Sequence, residues 1–175
     1  MRKWLAIAVV GAILVTMAMP FLASAATSVN IAITATGSEI NITCNQTSWD
    51  AGTLSASETN ETAINWGQVE NDGGSEAVDI SIHGHDMTGG VVTWTLADDG
   101  NAGAATIGMK AGLDDADDLF DIVIKKTAAF NLLVDELATD ATADFGLKLW
   151  APTSGVGNEA MTMSSSGLTL TGSID

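Results

Sequence analysis

Cysteine, histidine and basic side chains are all scarce in this 175-residue chain, and the scarcities narrow what it can do. Cys44 is the single cysteine, so no intramolecular disulfide can staple the fold. Lys and Arg total six against 22 Asp and Glu, a formal net charge of −16. Such a surface repels phosphate and excludes nucleic acid as a natural partner. Histidine occurs only at positions 83 and 85. No Gly-x-Ser-x-Gly or Ser-His-Asp arrangement is present, and among so many carboxylates nothing selects one acid/base pair. The chain is therefore not expected to be an enzyme. Internal repeats with periods of about 20 to 50 residues are also missing, and no shift in composition marks a second domain.

What is present begins with an export signal. Arg2 and Lys3 precede the apolar run Leu5–Leu22, and Ala23-Ser24-Ala25 places small residues at −3 and −1 of a cleavage site. Residues 1–25 read as a signal peptide and 26–175 as one mature domain, exported to the extracellular space or cell surface. The apolar run is long enough to span a bilayer, but Pro20 and the Ala-x-Ala site favour removal, so the mature chain is expected to keep no stable membrane span. Without Arg2 and Lys3, four basic residues face 22 acidic ones, a net charge of −18. That balance fits a soluble surface protein, one from a saline habitat or one that binds divalent cations. An apolar content of 46% argues against intrinsic disorder. Neither a C-terminal apolar tail nor an LPxTG-like sorting signal is seen, which leaves assembly with itself or with another layer as the expected means of attachment.

Short alternating runs separated by Gly, Asp, Asn and Ser fill the mature part. Val78, Ile80 and Ile82 alternate with Asp79, Ser81 and His83, as on a half-buried strand. After the break at Met87–Gly90, Val92-Thr93-Trp94-Thr95-Leu96 alternates again, and the two runs are expected to form an antiparallel hairpin. Val29, Ile31 and Ile33 line one face of an N-terminal strand within Ala26–Thr36. Ile40, Ile42 and Cys44 line the next, with Cys44 expected as a buried, inert thiol. Trp49–Leu54 leads into a polar stretch, Ser55–Thr62; Ile64 and Trp66 read as the start of a strand, and Thr106–Lys110 as a short edge strand. Further strands are read at Phe120–Ile124, at Phe145–Leu149 (stopped by Pro152) and around Met161 and Leu168. Asn131–Thr139 is the one helix candidate, with Phe130, Leu133 and Leu137 on one stripe, although a strand through Leu132 and Val134 fits nearly as well. These runs predict an all-β fold, a single antiparallel β-sandwich of the Ig-like or jelly-roll kind with about nine or ten strands. The expected core holds Ile40, Ile42, Val78, Ile80, Ile82, Val92, Trp94, Phe120, Ile122, Phe145 and Leu147.

Five groups of residues are candidates for function. Asn41, Asn45 and Asn60 each open an Asn-x-Thr sequon, the pattern of N-glycosylation. Asp114, Asp115, Asp117 and Asp118 form an acidic loop that offers oxygen ligands to calcium, without the spacing or terminal Glu of an EF-hand. His83 and His85 would face one side of an extended strand, but with no further ligand identifiable they read as solvated loop residues rather than a metal site. Of the mature tryptophans, Trp66 and Trp94 share faces with aliphatic residues and read as core. Trp150 lies opposite Leu147 and Leu149, and is the candidate for stacking on a glycan. Finally, the strand carrying Val29, Ile31 and Ile33 has no formal charge, Lys or Pro to block pairing with another chain. Donated to a neighbour, it would build a homopolymer.

The run Asn71–Ile82, NDGGSEAVDISI, resembles prokaryotic secreted Ig-like β-sandwich surface proteins, in which an Asn-x-Gly turn precedes such a strand. Phe145–Pro152, FGLKLWAP, looks like the closing strand of the same kind of domain. The layout is similar to that of WxL-like surface proteins and TasA-like biofilm-fibre subunits. A paired WxL motif is missing, since Trp66-Gly-Gln and Trp94-Thr-Leu match only in part, so peptidoglycan binding does not carry over. The resemblance implies an extracellular structural or adhesive role and supplies no catalytic residues. Expected, then, is a secreted subunit of a filament, fibre or surface layer, with a glycan-binding or calcium-dependent adhesive module as the alternative.

Overall fold

Fourteen strands and no helix make up the described part of the computed structural model, residues 25–35, 40–115, 117, 119–126, 131–155, 160–163 and 167–174. In chain order the first seven are β1 (Ala25–Ala35), β2 (Ile42–Cys44), β3 (Ser48–Leu54), β4 (Thr59–Glu61), β5 (Gly67–Asn71), β6 (Val78–His83) and β7 (Met87–Gly89). The rest are β8 (Val92–Leu96), β9 (Thr106–Leu113), β10 (Ile122–Val123), β11 (Leu132–Leu137), β12 (Thr142–Trp150), β13 (Met161–Met163) and β14 (Leu168–Ser173). The expected leader lies outside the described residues, except for Ala25, which begins β1.

Hydrogen bonding links the strands into one path, β11-β6-β14-β1-β13-β7-β8-β9-β12-β5-β2, with β10 added to β9, β3 to β1 and β4 to β12. The all-β expectation holds, but the pairing is mixed. β1 runs parallel to β13 and to β14, and β8 parallel to β9; the other ladders are antiparallel. The path curls so that its distant parts meet. A Cβ built on Gly172 in β14 would lie 3.0 Å from Ile40 and 3.1 Å from Ile42, at the β2 end. The space between is filled by fully buried side chains from most of the strands, among them Val29, Ile80, Trp94, Ile107, Phe145 and Leu170.

Three chain segments run side by side and are interrupted at one level. β6 gives way to β7 at residues 84–86, β13 to β14 between Met163 and Leu168, and β1 changes partner between Ser28 and Ile31. On one side of that level lie β6, β14 and the second half of β1; on the other lie β7, β13 and its first half. Strands that turn from one packing direction to another do so at bulges and breaks of this kind. Gly167, with φ of +57°, sits at the break, and a Cβ there would collide with the Asn30 carbonyl.

Several local expectations are corrected. The runs at Val78 and Val92 do not form a hairpin. β6 pairs with β11 and β14, while β8 turns back on β7 through Gly90 and Val91 and pairs on its other edge with β9. Met87–Gly89, read as a break, is therefore a strand. β9 is interior rather than an edge, flanked by β12 on one side and by β8 and β10 along the other. The lead-in Trp49–Leu54, for which no strand is expected, is most of β3, β4 lies within the polar stretch Ser55–Thr62, and Ile64–Trp66 is a turn ahead of β5. Asn131–Thr139 holds β11, not a helix. Its register against β6 shifts twice and Glu136 adopts φ of +49°, so two bulges leave Leu133 and Leu137 inward and Asp135 outward. Ile40, Ile42, Val78, Ile80, Ile82, Trp94, Phe145 and Leu147 are buried as expected, whereas Val92, Phe120 and Ile122 are only half-buried. The segment expected as a strand from Phe120 pairs only at Ile122 and Val123, which leaves Phe120 in the loop ahead of it.

Candidate functional site

β1 occupies an unusual place for a first strand. Ala25–Asn30 pairs antiparallel with β3 on one edge, while the other edge meets β13 at Thr27 and Ser28 and β14 from Ile31 to Ala35. Val29 is fully buried and Ile31 half-buried, but Ile33 is 40% exposed, so burial fades along the face expected to be uniformly apolar. Past the Ile31 amide, which donates to the Thr47 carbonyl at 3.0 Å, the β3-side edge has no further partner strand among the described residues.

A second feature is a groove on the outer face of β4, β12, β9 and β10. Register sets Glu61, Lys148, Lys110 and Val123 in one row straight across these strands. Two residues along, Gly146 faces Gly112, and the absent side chains let loops settle onto the sheet. A Cβ on Gly146 would be 2.6 Å from the Ala63 carbonyl and 3.0 Å from the Phe120 ring, and one on Gly112 would strike the Leu119 carbonyl. Two residues the other way stands Trp150, opposite Gly108. The lysine row is thus the floor, with Leu119 (58% exposed) and Phe120 on one side and Trp150 on the other, enclosing about 460 Å³.

The charges in this groove are unevenly matched. The Lys148 ammonium lies 2.6 Å from Glu61, 5.7 Å from the Phe120 ring and 5.3 Å from the Trp150 ring. The Lys110 ammonium lies 5.8 Å from the Trp150 ring and forms no ion pair among the described residues. Like charges directly opposite on neighbouring strands are unfavourable, and Glu61 offsets only one of this pair. Trp150 was legible in the sequence as an outward aromatic. Its partners were not, although Lys148 at i−2 on the same face was a usable sign in so lysine-poor a chain.

The histidines are not simple loop residues. His83 ends β6, His85 follows, and the rings meet edge to face with centroids 5.6 Å apart. Nδ1 of His83 and Nε2 of His85 are shut off from solvent, with no hydrogen-bond partner among the described residues. Burial, and secondarily the neighbouring His85, hold His83 below the usual histidine range. Burial would raise the Asp86 carboxyl, but the Lys126 ammonium at 2.7 Å, the Leu96 amide and His85 outweigh it and hold the group below its ordinary value.

Because the fold favours neutral His83, the unfolded chain takes up a proton first as pH falls below about 6.5. The His83 contribution is therefore complete above that value and declines through the lower folded value. Melting temperature is expected to fall between pH 7.5 and pH 5, and His83→Gln to flatten that slope. Thermal scans of both proteins across this range check it; equal slopes would remove His83 as the cause.

The remaining candidates are dispersed. Asn41 and Asn45 are exposed; the Asn45 side-chain oxygen accepts from the Gln68 amide at 2.8 Å, and the Asn41 amide group donates to the Asp72 carbonyl at 3.2 Å. Asn60 is half-buried, its amide group donating to the Ala51 carbonyl at 2.7 Å. Asp114, Asp115 and Asp117 are exposed, and Asp118 lies outside the described residues. Among the described residues no three His, Cys, Asp or Glu side chains converge as a metal site would require. Cys44 is half-buried against the core, and burial raises its thiol despite a backbone hydrogen bond at Gln46. No protein-family model matches this chain, and no curated protein matches its sequence.

Proposed function

We propose that this chain is a secreted structural subunit of an extracellular filament, fibre or surface layer, joined copy to copy by exchange of β1. The observation that carries the reading is the position of β1 between β3 and the β13–β14 pair. An identical strand from a neighbour would make the same backbone hydrogen bonds and bury its own Val29 in the same place. Exchange then conserves the contacts and changes only which chain supplies them. A contact between two different surfaces need not close, so repetition gives an open polymer. The uncharged strand, free of Lys and Pro, carries none of the devices that block such pairing.

A reversible lock tests this. Asn30 and Ser48 face each other across β1 and β3, both exposed, and the adjacent Ile31–Thr47 hydrogen bond makes theirs a non-hydrogen-bonded pair. Cα atoms of such pairs approach about 4.5 Å, within disulfide range. The Asn30→Cys/Ser48→Cys protein, with Cys44→Ser to remove the native thiol, is expected to stay monomeric when oxidised within one chain and to polymerise once reduced. Equal polymerisation in both states, or none in the reduced state, would overturn the proposal; light scattering and electron microscopy read the outcome.

A further inference from the structure

We infer that the groove at Trp150 binds a glycan through a carboxylated pyranose of the uronic-acid kind, independently of any exchange of β1. Three chemistries meet there. The indole of Trp150 borders the groove and offers an apolar surface of the size of a sugar ring. Lys110, lacking an ion pair among the described residues, offers an ammonium to a carboxylate. Glu61 and Asp121, which also line the groove, accept hydrogen bonds from hydroxyls.

The charge census narrows the ligand further. Beyond the leader the chain has four lysines and no arginine, and two of the four occupy this row. A carboxylate between Lys110 and Lys148 would relieve the repulsion between them, since Glu61 pairs with Lys148 alone and Asp121, the other carboxylate in the lining, forms no ion pair among the described residues. The whole molecule, at −16, repels a densely charged polyanion. At physiological salt that repulsion is screened within about 8 Å, so an acidic sugar spaced by neutral ones keeps the local attraction and escapes most of the penalty. The groove therefore suits an alternating acidic glycan better than a continuous polyuronate.

The test uses a tetrasaccharide alternating glucuronate and N-acetylglucosamine, with chitotetraose as the neutral comparison and tetra-aspartate as the acidic peptide. At 0.15 M salt, as above, the acidic sugar is expected to change tryptophan fluorescence saturably and to shift the amide resonances of Lys110, Lys148 and Trp150. Lys110→Gln should weaken binding about tenfold or more, the worth of a charge-assisted hydrogen bond. Trp150→Ala should abolish binding, while Trp150→Phe keeps part of it, each variant first shown to melt near the parent temperature. The inference fails if chitotetraose binds equally well, if Lys110→Gln has no effect, or if no saturable binding appears. It fails equally if tetra-aspartate displaces the sugar at the same concentration as the sugar itself, since the groove would then read charge alone, as it would in a contact with the acidic surface of a second copy.

Discussion

Replacing Ile80 by Ala should cost about 2–5 kcal/mol, whereas Ser81→Ala one residue away should cost almost nothing. Ile80 is fully buried in β6, between β11 and β14, and its loss leaves a cavity that the surrounding side chains can only partly refill. Ser81 points to the other face and is half-exposed. For a domain of this size the loss at Ile80 corresponds to a fall in melting temperature of about 4–20 °C. Differential scanning calorimetry of the two variants checks the face assignment; similar shifts would show it to be wrong.

Gly167→Ala is expected to be comparably damaging for an unrelated reason. At φ of +57° an alanine adopts a left-handed conformation, costing about 1–2 kcal/mol, and its methyl would also collide with the Asn30 carbonyl. Relief requires moving β1 or β14, and overpacking of this kind typically adds about 1–3 kcal/mol. Gly52, at φ of +71° with nothing within 4 Å of a built Cβ, is the control. Gly52→Ala should show the backbone strain alone. If the two variants unfold at the same denaturant concentration, the collision contributes nothing.

The sequence was most informative where strands are regular. In β6 the alternation of Val78, Ile80 and Ile82 identifies both the strand and its buried face. Alternation says which side of a strand is wet, however, and nothing about which strand lies beside it, and so the β6–β8 hairpin was wrong. Irregular strands were hidden by their own bulges. In β3 the register slips opposite Thr27 and Ser28, so Trp49, Ala51 and Leu54 are buried at unequal spacing and the pattern of two is lost. β11 suffers twice over, and its two inward leucines fall where a helical stripe would also place them. The groove shows the same division. One strand carries Trp150 and Lys148 at a spacing of two, but Lys110, Glu61 and Phe120 come from distant positions that only sheet register brings together.

The neighbours of β1 also impose an order in time. Its partners β13 and β14 are the last strands of the described chain, so contacts across almost the whole sequence must form before the first strand is held along both halves. Such long-range closures carry a large entropic toll and slow the search for the native state. A chain emerging from synthesis can assemble the local β7–β8 turn early, but its centre stays open until Leu168–Ser173 has appeared. Until then the far edge of β1, away from β3, and the edge of β6 that β14 will cover are both vacant, and the nascent molecule is receptive to any complementary strand within reach, its own or another's.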